Sequence, residues 1–185
     1  MGFVEVTSGP TPKDLVSIPD FKKSGKVTHA FDDSYFDELI KVAYFDIEDT
    51  IQRPILTQTR KLYLGEFPNG DFIELDSDLS SVSSVEYFPD TWTTGAASTF
   101  SSSNYIVITK QFLGIVKLFD TSSWPSIYDR EDAVIVTYIC GNSAANVPRE
   151  LKQAIRLKLN QLYKKDDNAE EIDELIGPFI KIAVA

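Results

Sequence analysis

Apolar residues in two parts of the chain recur every three or four positions. The first run comprises Phe36, Leu39, Ile40, Ala43, Tyr44, Ile47 and Ile51. This spacing predicts an amphipathic helix. Arg53-Pro54 predicts its end, because a residue before proline is pushed out of the helical conformation.

The second run predicts another long helix, which begins at Val147-Pro148-Arg149-Glu150. One face of it carries Leu151, Ala154, Ile155, Leu159 and Leu162. Two shorter helices are predicted at the ends of the chain. One follows Ser17-Ile18-Pro19 and stops at Ser24-Gly25, and the other contains Ile172, Leu175 and Ile176.

Between these helices, β-branched and aromatic runs bounded by turn residues predict strands. The predicted strands are Thr57 to Glu66, Phe72 to Asp76, Val82 to Phe88, Tyr105 to Thr109, Ile115 to Phe119 and Ala133 to Cys140. Asn69-Gly70 favours a tight hairpin between the first two, because both residues tolerate positive φ. The polar stretch 90–103 predicts a mobile loop or an extended hairpin tip.

These elements predict an α+β fold, in which a small helical bundle receives an inserted antiparallel β-sheet region. We expect a single domain over residues 1–185, with helical parts at 15–54 and 147–182 and a β insertion at 55–141. A chain of 185 residues is long enough to form one core without cross-links.

The formal net charge of −10 argues against a protein that grips nucleic acid, because nonspecific affinity for phosphate comes from Lys and Arg. The N-terminal sequence has no basic segment followed by an apolar run, and no apolar stretch approaches the length of a membrane span. We therefore expect a soluble protein, made and kept in a reducing compartment.

Candidate chemistry is sparse. One His and one Cys exclude the usual zinc ligand sets, and no phosphate-binding or nucleophile motif occurs. We expect no enzymatic activity, no catalytic or metal-binding residues and no cofactor. Trp92 and Trp124 leave a carbohydrate-binding β module as a less favoured alternative, since aromatic residues on strands are more often packing residues.

Two features are candidate subunit contacts. Val42 and Phe45 lie off the main apolar stripe of their helix, so either the helix is buried on two sides within the monomer or its second face meets a neighbouring subunit.

The charged residues of 149–165 are mainly basic, and those of 166–174 are acidic. Ordinary helix electrostatics explains this order, and charge complementarity between copies is the alternative, with Arg156 and Lys158 facing Glu170 and Glu171.

The ordered set of these features resembles the head-tail connector (adaptor) proteins of long-tailed double-stranded DNA phages. The resemblance covers about residues 15–179 and is carried by residues 49–59, 82–87, 123–125, 134–138, Gly141 and 147–155. Each motif is a packing or turn signature, so their order along the chain carries the resemblance.

The resemblance implies a structural virion protein, made in the host cytoplasm and located in the neck. It implies a homo-oligomeric ring, usually a dodecamer, which docks below the portal protein, extends the DNA channel and receives head-closure or tail proteins. DNA would pass through without specific binding, and no membrane would be involved. Another neck component, such as a head-closure or tail-terminator protein, is the alternative within this class.

The resemblance also assigns a candidate portal-binding role to the C-terminal tail. Its residues are Phe179, Ile180, Lys181, Ile182 and Val184. An exposed apolar run of this kind would be an association patch. The same run is equally compatible with packing on its own monomer.

Overall fold

The computed structural model describes residues 2–25, 33–110, 113–165 and 167–180. They form two compact units. A β unit contains the N-terminal stretch up to Gly9 together with residues 57–141, and a helical unit contains residues 10–56 and the chain from Asn142 onwards. The predicted α+β fold class is confirmed, whereas the grouping of both units into one domain stays a prediction.

The helical unit contains four α-helices and two short 3-10 helices among its described residues. The α-helices are α1 (Ile18–Gly25), α2 (Asp33–Ile51), α3 (Arg149–Lys164) and α4 (Ala169–Ile176), and the 3-10 helices are Pro12–Asp14 and Gly177–Phe179. All four predicted helices are therefore present. The chain's one histidine, His29, lies outside the described residues.

The apolar stripe of α2 forms the centre of the helical core. All seven of its predicted residues are buried, and they pack with Leu151, Ala154, Ile155 and Leu159 of α3 and Ile172 and Ile176 of α4. The end of α2 is fixed by Gln52, whose φ of 56° lies in the left-handed region. Lys165 ends α3 in the same way, with φ 60° and a backbone N–H that donates to the Gln161 carbonyl.

The β unit contains two sheets. The strands are β1 (Phe3–Ser8), β2 (Gln58–Leu64), β3 (Phe72–Glu74), β4 (Leu79–Tyr87), β5 (Ser98–Thr99), β6 (Tyr105–Ile108), β7 (Ile115–Leu118) and β8 (Val134–Cys140). One sheet has the order β1-β2-β8-β4-β5 and the other β3-β7-β6. The hydrogen-bonded pairs among these strands are all antiparallel. The six predicted strands occur, with ends shifted by up to three residues.

Alternation along β8 places one face of the first sheet in the β core. Val134, Val136, Tyr138 and Cys140 are buried, while the residues between them are half-buried. Strands β2 and β4 flank β8 on either side. This central position explains the strong apolar signal of residues 133–140 in the sequence.

A polar cluster lies within the β unit. Arg60 and Tyr138 are paired positions on β2 and β8, and both side chains donate to the same Asp76 carboxylate oxygen, over 2.9 and 2.6 Å. Asp76 follows β3, which belongs to the other sheet. The cluster therefore connects the two sheets of this unit.

The hairpin prediction at Asn69-Gly70 is wrong. β2 and β3, which flank these residues, lie in different sheets, and neither residue has a positive φ. Phe67 is buried and stacks on Trp124, whose indole N–H donates to the Gly70 carbonyl over 2.9 Å. These contacts direct the chain from one sheet into the other.

Two strands were not predicted. β5 lies within the polar stretch 90–103 and pairs with the end of β4, so that stretch contains the tip of a β4–β5 hairpin. β1 pairs with β2 at an edge of its sheet. All six β1 residues are exposed, so the strand carries none of the inside-outside alternation by which half-buried strands are recognised.

Candidate functional site

The described residues offer no clear centre for chemistry. No group of three or more His, Cys, Asp or Glu side chains among them could hold a metal ion. Cys140 is buried in the β core. None of the helices in the described part of the chain is long and apolar enough to cross a membrane. Three exposed surfaces of the described residues are candidates for contacts with other proteins.

The first such surface lies along α2, opposite its buried stripe. We define the α2 outer face as Tyr35, Glu38, Val42, Phe45 and Asp49, all of which are exposed. Their spacing of three and four residues places them in one line along the helix. Val42 is 50% and Phe45 44% exposed, so this helix has a second apolar strip that its own unit does not bury.

The Phe45 side chain packs on a buried residue of its own helix. Its ring makes an edge-to-face contact with the buried Tyr44 ring, with centroids 5.2 Å apart. The Tyr44 hydroxyl donates to Glu48, which also accepts the backbone N–H of Ile55. An exposed aromatic ring on such a support loses little freedom when it binds a partner.

The second surface is an open groove along α3. We define the α3 groove by its lining residues, which are Arg149, Glu150, Lys152, Gln153, Arg156 and Leu175. Its volume is about 490 Å³. Three cationic side chains and one leucine from α4 give it a basic rim with an apolar contact. This groove contains Arg156, one of the predicted interface residues.

Lys158 lies outside that groove. Its ammonium group is 2.5 Å from the Asp46 carboxylate of the same chain, which joins α3 to α2. Glu170 and Glu171 are exposed in the first turn of α4, where acidic residues are favourable for the helix dipole. The structure thus separates the predicted basic pair, Arg156 and Lys158, into two settings.

The described start of the C-terminal tail packs on the helical unit. Phe179 is half-buried against the helical core, and its carbonyl accepts a 3.5 Å hydrogen bond from Arg53. Ile180 is 40% exposed. Lys181, Ile182 and Val184 lie outside the described residues. Phe179 therefore has a packing role, whatever the remainder of the tail contacts.

The exposed strand β1 is a candidate surface that the sequence reasoning missed. Phe3, Val4 and Val6 are about half exposed. Phe3 stacks on Tyr63, whose hydroxyl donates to Glu5. The aromatic and β-branched residues Phe3, Val4 and Val6 were the available sequence signal. The strand presents apolar side chains and one unpaired edge within its sheet.

The two tryptophans, which suggested a sugar-binding face, are both engaged in packing. Trp124 lies parallel to Phe67, with ring centroids 4.6 Å apart. Trp92 packs edge-on against Phe88 and Tyr128, and Arg130 lies 4.9 Å from its ring. Arg130 also makes a two-pronged hydrogen bond to Asp132, which lowers the pKa of that carboxyl. These contacts favour the packing interpretation of the aromatic residues.

Solved structures supply the comparison that bears on function. The chain superposes on a chain from the neck of an empty gene transfer agent (GTA) particle computed with C6 symmetry, with TM-score 0.81 and 15% identity. The match covers 99% of this chain and 97% of the other. The two chains share one fold.

Two further structures give the same result. A chain from the virion of a native GTA particle matches with TM-score 0.80 and 15% identity. A chain from the neck of a native GTA particle computed with C12 symmetry matches with TM-score 0.78 and 16% identity. Both matches again cover 99% of this chain and 97% of the other. No protein-family model matches the sequence, and no curated protein matches it.

Proposed function

We propose that this chain is a structural protein of the neck of a phage-like virion. The observation that carries the proposal is the fold, which matches chains from GTA particles over 99% of this chain at TM-scores up to 0.81. Two of those structures are of the neck itself. A match of nearly equal lengths supports a shared architecture rather than one shared module.

Within the neck, the chain acts as an adaptor that forms a ring below the portal protein. The sixfold and twelvefold symmetry of the matching neck structures supports a ring of many copies, with a dodecamer as the expected number. The ring extends the DNA channel and presents a platform for head-closure or tail proteins. The formal charge of −10 on each chain suits a channel that lets DNA pass without tight binding.

The proposed role is structural and not enzymatic. It is carried by surfaces of the kind that the α2 outer face and the α3 groove provide. No cofactor takes part in it. A head-closure or tail-terminator role in the same neck is the second candidate, and the same fold matches support it equally.

The decisive experiment is electron microscopy of particles from a phage stock that lacks this gene. We expect heads that package DNA but carry no tails or leak their DNA. Supplying the gene in trans restores tailed particles. Normal tailed particles from the deletion stock would contradict the proposed neck role.

Binding to the purified portal ring separates the adaptor role from other neck roles. An adaptor cosediments with portal rings in the absence of other neck proteins. A head-closure or tail-terminator protein joins only after the adaptor is present. The order of addition therefore identifies the position in the neck.

The tail contact with the portal has its own test. Because Phe179 packs on the helical unit, the informative truncation removes residues 180–185 and keeps Phe179. We expect this variant to fold with unchanged circular dichroism and to lose portal binding. Unchanged portal binding would contradict a docking role for the tail.

A further inference from the structure

We propose that neighbouring copies join head to tail, with the α2 outer face of one copy seated on the α3 groove of the next. Phe45 enters the groove, and Val42 packs beside it. This inference rests on the proposed function, because it supplies the contact that would build the ring. It names the occupant of each surface as a second copy of this chain.

Charge complementarity favours a second copy as the partner. α2 carries six acidic residues and one lysine, whereas α3 carries five basic residues and one glutamate. Some of this charge is satisfied within the chain, as in the Asp46–Lys158 pair. Glu38 also pairs with Lys41 of its own helix over 2.8 Å. Asp49 on the α2 outer face and Arg149, Lys152 and Arg156 in the α3 groove are exposed or half-exposed.

The apolar parts of the two surfaces also match. Phe45 projects from α2 on the buried support of Tyr44, and the α3 groove offers the half-buried Leu175 between cationic side chains. An aromatic ring beside guanidinium groups gains a cation–π contact. Aromatic and arginine side chains are the residues that dominate binding energy at protein interfaces.

The two surfaces are different, so a copy that offers one of them to each neighbour joins its neighbours head to tail. Such a contact leaves one free α2 outer face and one free α3 groove in every dimer, whereas a twofold dimer that used both pairs of surfaces at once would leave none free and form nothing larger. Repetition by rotation closes head-to-tail contacts into a ring, and without closure they give open chains. The proposed interface therefore has the head-to-tail connectivity that a ring requires.

A cross-link between positions 45 and 153 tests the contact directly. Phe45→Cys and Gln153→Cys place thiols on the α2 outer face and in the α3 groove, and the native Cys140 is buried. The test is made on the full chain at high concentration and on particles complemented with each variant, using a short bismaleimide. Circular dichroism and thermal melting check that each variant folds.

On a denaturing gel, we expect the double-cysteine chain to give a ladder of covalent multimers and each single-cysteine chain to give none. A dimer from Phe45→Cys alone would overturn the head-to-tail contact. A ladder from Gln153→Cys combined with Glu171→Cys, in place of the first pair, would overturn it in favour of α4 as the acidic partner.

The particle arm separates this inference from the proposed function. If the chain is present in particle necks but gives no ladder through positions 45 and 153, the inference fails and the proposed function stands. If the chain is absent from particles, the proposed function fails. The inference then fails as well unless the free chain gives the ladder.

Mixing two variants provides an independent readout by analytical ultracentrifugation. Phe45→Asp disrupts the α2 outer face, and Arg156→Glu disrupts the α3 groove. We expect each variant to weaken self-association at least tenfold. A mixture contains one intact pair of surfaces, so it should give dimers and nothing larger. Phe72→Asp is the control, because Phe72 is 41% exposed on β3. An equal loss in the control, or no dimers in the mixture, would contradict the proposal.

Discussion

The Tyr44 hydroxyl donates a 2.5 Å hydrogen bond to the Glu48 carboxylate, one turn further along α2. Both side chains are buried in the helical unit. The same carboxylate oxygen accepts the Ile55 N–H, and the Tyr44 oxygen accepts the Leu56 N–H. These two side chains thus satisfy the backbone of the segment that leaves α2, and Tyr44 also supports Phe45.

Removal of the Tyr44 hydroxyl tests the strength of this arrangement. Tyr44→Phe leaves Glu48 with one donor fewer and the Leu56 N–H without its acceptor. We expect the free energy of unfolding to fall by about 1–3 kcal/mol, measured by urea denaturation. Tyr35→Phe is the matched control on the same helix, since Tyr35 is exposed, and it should change stability by less than about 0.5 kcal/mol. Equal effects would contradict the role of the buried hydroxyl.

The polar cluster of Asp76, Arg60 and Tyr138, here called the Asp76 cluster, should be important for the stability of the β unit. The Arg60 and Asp76 side chains, which form an ion pair, are only 16% and 15% exposed. Loss of one partner leaves a largely buried charge, so Asp76→Ala should cost about 3 kcal/mol.

The surface pair of Asp71 and Lys117 is the control for Asp76. Those two side chains are 54% and 44% exposed. We expect Asp71→Ala to cost less than about 1 kcal/mol. Similar losses in both variants, measured by denaturation, would show that the Asp76 cluster has no special role.

Alkaline pH should weaken the fold through Tyr138. Burial, and after it the nearby Asp76 carboxylate, raises the pKa of the Tyr138 phenol above its ordinary value of about 10. The folded chain therefore keeps this proton to higher pH than the unfolded chain. The resulting stabilisation is complete below about pH 10 and is lost as the pH rises towards the folded-state pKa.

The measurement is the free energy of unfolding between about pH 8 and pH 11 for the wild type and for Tyr138→Phe. Above about pH 10, Tyr138 contributes a slope of at most about 1.4 kcal/mol per pH unit, which the variant lacks. Tyr128→Phe, at an exposed position, should keep the wild-type slope. Parallel curves for the wild type and Tyr138→Phe would contradict the prediction.

A side chain at Gly114 should destabilise the β unit. A Cβ at this position would overlap the Leu79 side chain of β4. We expect Gly114→Ala to lower the melting temperature by several degrees, equivalent to about 1–3 kcal/mol of overpacking. Gly9→Ala is the control, because nothing lies within 4 Å of its Cβ position. An unchanged melting temperature for Gly114→Ala would mean that β4 shifts at no cost.

The sequence by itself determined the secondary structure of most of the chain. Apolar spacing of three or four residues depends only on neighbours along one helix, so α2 and α3 were predictable. The run from Val134 to Cys140 was equally clear, because its strand is central in a sheet. The same helical spacing placed Val42 and Phe45 off the buried stripe, but it left open whether the monomer buries them, and the structure shows both exposed.

Only the tertiary structure decided which of these elements and side chains meet. Asn69-Gly70 carried a hairpin signal, yet the stacking of Phe67 on Trp124 holds the chain on a path between two sheets. β1 was missed because all six of its residues are exposed, so the strand lacks the inside-outside alternation of a half-buried strand. Lys158 looked like Arg156 in the sequence, but it pairs with Asp46 of α2. The spacing of apolar residues in a segment reflects which of its side chains are buried and which are exposed to solvent. Contacts between distant segments depend instead on how the whole unit packs.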